Sequence, residues 1–175
     1  LIAGRDLLGI AQTGTGHILF DQTGSQALAI TNNATTAAGN LTLTTDGTFA
    51  LAVTSVTGDM SLTSSGAITD TGTITVSGTT TLASGAANDI TFDTASNNFG
   101  TVITTNGNNV TLVDTNAIAL GASTVSGNFG VTAGGAITDS GILAVTGTSS
   151  FTAGANAITL DSANDFTGAV SLSNS

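Results

Sequence analysis

The stretch Gly127-Asn128-Phe129-Gly130-Val131-Thr132-Ala133-Gly134-Gly135-Ala136-Ile137-Thr138-Asp139-Ser140-Gly141-Ile142-Leu143-Ala144-Val145-Thr146-Gly147 decides the fold. It reads as one complete coil of a solenoid, from one turn glycine to the next. Ile137-Thr138-Asp139 repeats Ile68-Thr69-Asp70, 69 residues earlier, and Gly135-Ala136 repeats Gly66-Ala67 before it. A fixed period of this kind is the mark of a repeat architecture.

Working outward, one glycine series runs Gly39, Gly58, Gly78, Gly100, Gly127, Gly147, Gly168, with gaps of 19, 20, 22, 27, 20 and 21 residues. A second follows it seven or eight residues later: Gly47, Gly66, Gly85, Gly107, Gly135, Gly154. Between them sit short segments such as Leu41-Thr42-Leu43, Met60-Ser61-Leu62, Thr80-Thr81-Leu82, Phe129-Gly130-Val131 and Ser149-Ser150-Phe151. Period-two alternation puts the first and third residue of each on one face of a strand. The glycine after each segment is expected to supply a corner with positive φ. Further strands are Ile90-Thr91-Phe92, Val110-Thr111-Leu112 and Ile158-Thr159-Leu160, with Ile74-Thr75-Val76 and Leu143-Ala144-Val145 closing their coils.

The expected fold is therefore all-β, a parallel β-helix with coils of about 20 residues. Residues 1–175 form one segment, less regular over 1–38 and regular over 39–175. About eight coils at the strand spacing make a rod of roughly 40 Å. Leu43, Leu62, Leu82, Val131, Phe151 and Leu172 are expected to share one coil position and stack as a single ladder. The stretch from Gly100 to Gly127 reads as a long coil with an extra strand or loop, matched by one running from Ile10 to Gly39. Inward register at Val102-Ile103-Thr104 is ambiguous, because the alternation slips there. Repeat-like sequence at both ends points to a piece of a longer chain with unpaired strand edges at its ends.

Composition agrees. The chain has 23 Gly, no Pro, no Cys and no Trp, and its 11 acidic residues are all Asp against one base, Arg5. Thr, Val and Ile favour strands, and Gly, Asn and Asp favour turns. A net charge of −10 leaves no basic patch for nucleic acid or for anionic membranes. No apolar run approaches the roughly 20 residues of a membrane-spanning helix.

At this point the chain resembles a known family. Gly135-Ala136-Ile137-Thr138-Asp139-Ser140-Gly141, Asn88-Asp89-Ile90-Thr91-Phe92-Asp93 and Asn164-Asp165-Phe166-Thr167-Gly168 are similar to repeats of giant filamentous-haemagglutinin-like bacterial adhesins. The resemblance covers most of residues 39–175. It implies a right-handed parallel β-helix shaft, secreted to the cell surface, often by a two-partner route whose amino-terminal signal this sequence does not show. The implied partners are its own repeats end to end and surface glycans.

Chemistry was sought among the few ionisable groups. Asp93 with Asp114, and Asp139 with Asp161, follow similar strands in adjacent coils and are candidates for a Ca²⁺ site, with solvated turn carboxylates as the alternative. Asp70 and Asp139 hold equivalent positions three coils apart, too far to act as a carboxylate pair. A polysaccharide-cleaving β-helix enzyme needs clustered Asp with a base, and Arg5 stands far from them. His17 is the sole His, so a transition-metal site lacks ligands. Catalytic, cofactor and metal residues are accordingly none. Thr42-x-Thr44, Thr73-x-Thr75 and Thr79-Thr80-Thr81 invite an ice-binding reading, which requires Thr pairs aligned in successive coils. Asn33, Asn40 and Asn109 each stand in an Asn-x-Thr pattern.

Overall fold

The computed structural model describes residues 39–52 and 54–175, together with the backbone of strands at 18–22, 28–30 and 35–37. Arg5, His17 and the start of the expected first long coil lie outside the described residues. Among those described there is no helix, and the strands stack in parallel as a β-solenoid of about 7 turns, slightly fewer than expected.

In chain order the strands are β1 (Ile18–Gln22), β2 (Leu28–Ile30), β3 (Thr35–Ala37), β4 (Leu41–Thr45), β5 (Phe49–Leu51), β6 (Thr54–Val56), β7 (Met60–Ser64) and β8 (Ile68–Asp70). Then come β9 (Ile74–Ala83), β10 (Ile90–Phe92), β11 (Asn98–Asn106), β12 (Val110–Asp114), β13 (Ile118–Leu120) and β14 (Ser123–Val125). The last are β15 (Phe129–Ala133), β16 (Ile137–Asp139), β17 (Leu143–Val145), β18 (Ser149–Thr152), β19 (Ile158–Thr159), β20 (Asp165–Phe166) and β21 (Val170–Ser173).

Three faces enclose the core. The second face is one sheet in the order β2-β5-β8-β10-β12-β15-β18-β21. The first face carries β1, β4 and β7, then the far leg of β9, since Met60 and Leu62 pair with Thr80 and Leu82. The third carries β3, β6 and the near leg of β9, because Thr54 and Val56 pair with Ile74 and Val76. β9 and β11 each run round the corner between these two faces and pair with each other along both legs. Above β11 the wall splits. β13 pairs with it at Thr101 and Val102, and β14 meets its end through the Gly107–Val125 bridge. From there β13-β16-β19 continue the third face and β14-β17-β20 the first.

The core is the inward half of this alternation. Leu41, Leu43, Met60, Leu62, Ile68, Ile74 and Leu82 are fully buried, as are Ile90, Phe92, Ile137, Leu143 and Phe151. Each rung is closed by aliphatic groups and a few rings. Phe92 stacks on Phe99 at 5.8 Å, and Phe151 meets Phe129 and Phe166 edge-on at 5.8 and 6.0 Å. Burial at about 25 cal/mol/Å² makes these rungs the main stabilising element.

Three expectations are corrected. The predicted single ladder is two: Leu43, Leu62 and Leu82 stack on the first face, whereas Val131, Phe151 and Leu172 stack on the second. The expected long coil from Gly100 to Gly127 has no extra loop. It holds the end of β11, then β12, β13 and β14, which is one full coil plus one further face. Gly100 stacks on Gly78 at one corner, and Gly127 and Gly147 stack at the next corner round. Positive φ occurs only at Gly85 (+81°) and Gly154 (+53°) among the described residues. Elsewhere glycine is required by close approach: a Cβ on Gly147 stands 2.5 Å from the Gly127 carbonyl oxygen, and one on Gly78 2.5 Å from that of Gly58. Coils stack here through corner backbones, with Gly78 N–H donating to Gly58 O at 3.1 Å and Gly147 N–H to Gly127 O at 2.9 Å.

The slip at Val102-Ile103-Thr104 resolves with Val102 and Thr104 inward and Ile103 outward. Register shifts in β11 around Gly100 and Thr105 absorb the extra residues where the strand turns the corner.

Candidate functional site

The 69-residue period organises every polar feature of the molecule. Strands β4–β11, of which β9 and β11 each cover two faces, give ten strand legs. Strands β12–β21 give ten more. A coil uses three, so ten legs make three coils and one further face. Each feature of the first unit therefore recurs in the second one face further round.

Asp70 and Asp139 show this. Asp70 ends β8 on the second face, and Asp139 ends β16 on the third, so they are equivalent in the repeat but not in the coil. Their bonding is the same. Asp70 Oδ1 accepts Asp93 N–H (3.2 Å), and Oδ2 accepts Thr94 N–H (3.3 Å) and Asn97 Nδ2 (2.7 Å). Asn97 Oδ1 accepts Ile74 N–H at 2.7 Å. Asp139 accepts Asp161 N–H (3.0 Å), Ser162 N–H (3.3 Å) and Asn164 Nδ2 (2.7 Å), and Asn164 Oδ1 accepts Leu143 N–H at 2.8 Å. Each Asp–Asn staple thus ties a strand end to the turn of the next coil and to the strand that opens beyond it. The sequence reading singled out the two Asp but missed Asn97 and Asn164. The signal was present: Asp93-Thr94-Ala95-Ser96-Asn97 parallels Asp161-Ser162-Ala163-Asn164.

A second polar file runs along a corner. Asn40 Oδ1 accepts Asp59 N–H (2.9 Å), and Asp59 Oδ1 accepts Thr79 N–H (2.8 Å), both at the entrance to the first face. One repeat on, Asn109 Oδ1 accepts Asn128 N–H (3.0 Å), and Asn128 Oδ1 accepts Thr148 N–H (2.9 Å), at the entrance to the second. Asn40 and Asn109, noted for their Asn-x-Thr pattern, are therefore rungs of this file. The two positive-φ turns match as well. Asn88 Nδ2 donates to Ser65 O and Ser84 O, and Asn156 Nδ2 to Gly134 O and Ala153 O.

The proposed Ca²⁺ pairs do not converge. Asp93 is exposed beyond β10, while Asp114 turns inward and is buried. Its carboxylate accepts Phe99 N–H at 2.6 Å and Asn116 N–H at 2.8 Å. Burial raises its pKa above the ordinary carboxylate value, opposed by those two backbone hydrogen bonds from Asn116 and Phe99. Asp161 meets Asp139 through its backbone N–H. No group of three or more His, Cys, Asp or Glu that could hold a metal ion occurs among the described residues.

The Thr side chains fall in short files. Thr69, Thr91 and Thr111 stack singly on the second face, with Ala50 below and Gly130 above. Thr42 and Thr44 stand beside Ser61 and Thr63, and the next coil brings Thr81 and Ala83. No Thr-x-Thr pair lines up through three successive coils among the described residues. Thr80 points into the core, and its hydroxyl finds no partner; Ser149, its repeat equivalent, is in the same position.

Fold and polar framework together define a β-solenoid repeat protein. The chain belongs to the family described as Repeats of unknown function (DUF5649), whose repeats match residues 38–106 and 107–173. Those two spans are the two ten-leg units. No curated protein and no solved structure gives a significant match.

Proposed function

We propose that this chain is a structural shaft segment of a large secreted or cell-surface bacterial adhesin or extracellular filament, and that it does no chemistry itself. The observation that carries this reading is the unbroken run of coils. Partnered strands follow one another at 19 to 23 residues, from Ile18–Leu41 through Ser149–Val170, with no inserted loop to build a cleft. The staple and file carboxylates accept backbone N–H groups across the coils, which suits a load-bearing stack. Its task would be to hold a binding region away from the cell. Outward Thr, Ser and Asn side chains offer weak contacts to glycans or to neighbouring rods.

The ice-binding alternative draws less support, because the Thr files are single and interrupted. A polysaccharide enzyme draws less again, since the buried or stapled Asp70, Asp114 and Asp139 already serve backbone donors. The test is location. Antibodies raised against residues 39–175 are expected to label intact, unpermeabilised cells of the producing organism, or filaments shed from them. Labelling only after permeabilisation would overturn the reading.

A further inference from the structure

The end of the solenoid formed by β19, β20 and β21 is apolar and open. Val170 is 44% exposed and Leu172 58%, and β21 pairs on one side only, with β18. Ile158, Leu160 and Phe166 are partly buried against the core beneath. The first repeat shows what covers these positions. By the repeat offset they correspond to Val102, Thr104, Ile90, Phe92 and Phe99, all of which are buried. Their cover is the opening coil of the second repeat. β12 lies on β10 (Ile90–Val110, Phe92–Leu112), and β13 lies on β11 (Val102–Leu120). The Ser123 hydroxyl, from β14, accepts Thr104 N–H at 3.0 Å.

We propose that this end is a docking surface for one partner, the opening coil of a further copy of the same repeat, entering one face further round. Its β4 would lie on β19, its β5 on β20 and the start of β21, and its β6 on the end of β21. Thr54 of that copy, the equivalent of Ser123, would accept Leu172 N–H. The two hydroxyls already match: Thr54 donates to Ala52 O, and Ser123 to Gly121 O. Successive repeats then wind their surface features round the rod, one face and ~16 Å per repeat at the strand spacing, so that all three faces carry the same set after three repeats. A partner recognising one feature of the repeat would find it on every side. This rests on the repeat geometry and is independent of where the protein is located.

The test extends the full chain directly after Ser175 with a second copy of residues 39–106. Spacing is kept, because Asn174 stands where Asn106 stands, and the added Gly39 and Asn40 where Asn108 and Asn109 stand. The chain has no Cys, so introduced thiols are unique. Thr91 pairs with Thr111 at the existing junction. Thr159→Cys with Thr42→Cys in the added copy is therefore expected to close a disulfide on mild oxidation. Ser171→Cys, on the neighbouring face, is expected not to close with the same partner. As a second readout, Leu172→Cys should be alkylated freely in the original chain and at least about tenfold more slowly in the extended one, as burial of the thiol requires. Closure with Ser171→Cys instead of Thr159→Cys, or unchanged alkylation at Leu172→Cys, would overturn the proposal.

Discussion

Asn97 is fully buried, and both ends of its carboxamide are used: Nδ2 on the Asp70 carboxylate and Oδ1 on Ile74 N–H. Asn97→Ala would leave a buried N–H unpaired and the carboxylate short of a donor, a loss of about 2–3 kcal/mol. Asn164→Ala, in the half-exposed twin staple, should cost about 1 kcal/mol because water replaces the missing partner. Denaturant unfolding of both variants checks the difference. Thr80 and Ser149 invert the logic. Their buried hydroxyls lack partners, so Thr80→Val and Ser149→Ala are expected to raise stability by about 1 kcal/mol each. Asp114 gives the pH dependence. Its folded pKa lies above the unfolded value of 3.8, so the folded state holds the proton more tightly. Its contribution is greatest below the unfolded pKa, falls as pH rises through the window up to the folded pKa, and is constant beyond. The stability difference between the parent chain and Asp114→Asn should follow that course, shifting against the parent as pH rises. A difference flat across the window would refute it.

Strands here are three to five residues for the most part, too short to persist alone, and corners decide whether they stack. At Gly147 an added methyl meets a backbone carbonyl that cannot move without separating two coils. Gly147→Ala is therefore expected to cost about 2–3 kcal/mol, the overpacking range. Gly130 provides the control. It lies within β15, its φ is ordinary, and its Cβ would meet nothing nearer than 4.0 Å. Gly130→Ala should be neutral or stabilise by up to about 1 kcal/mol, by restricting the unfolded chain. Thermal melts of the two variants separate close approach from backbone freedom as the reason for glycine.

Along the whole rod, each coil contacts only its neighbours, so stability is a sum over coils and the interfaces between them. The last coil, β19 to β21, is covered from below only. Amide hydrogen exchange is expected to be fastest over residues 158–175 and slowest over the middle coils that hold Phe92 and Phe99. Uniform protection along the chain would contradict nearest-neighbour stacking. Phe92→Ala should cost about 3–5 kcal/mol, and Phe166→Ala, at the open end, clearly less.

The sequence by itself determined the all-β class, the coil length and most strands. Glycine spacing and period-two alternation are local signals, and Leu41-Thr42-Leu43 or Ile90-Thr91-Phe92 has only one economical way to bury its apolar residues. It also showed the 69-residue period, through the twin Ile-Thr-Asp. Which face each strand occupies was decided by tertiary structure alone. Ten legs per repeat, against three per coil, place Leu82 and Phe151 on different faces although their local sequences look alike. That count depends on β9 and β11 turning a corner without a break, which no short motif records. The Asp–Asn staples stayed hidden for the same reason. Asp70 and Asn97 are 27 residues apart, and only the stacking of one coil on the next brings the carboxylate to its donor.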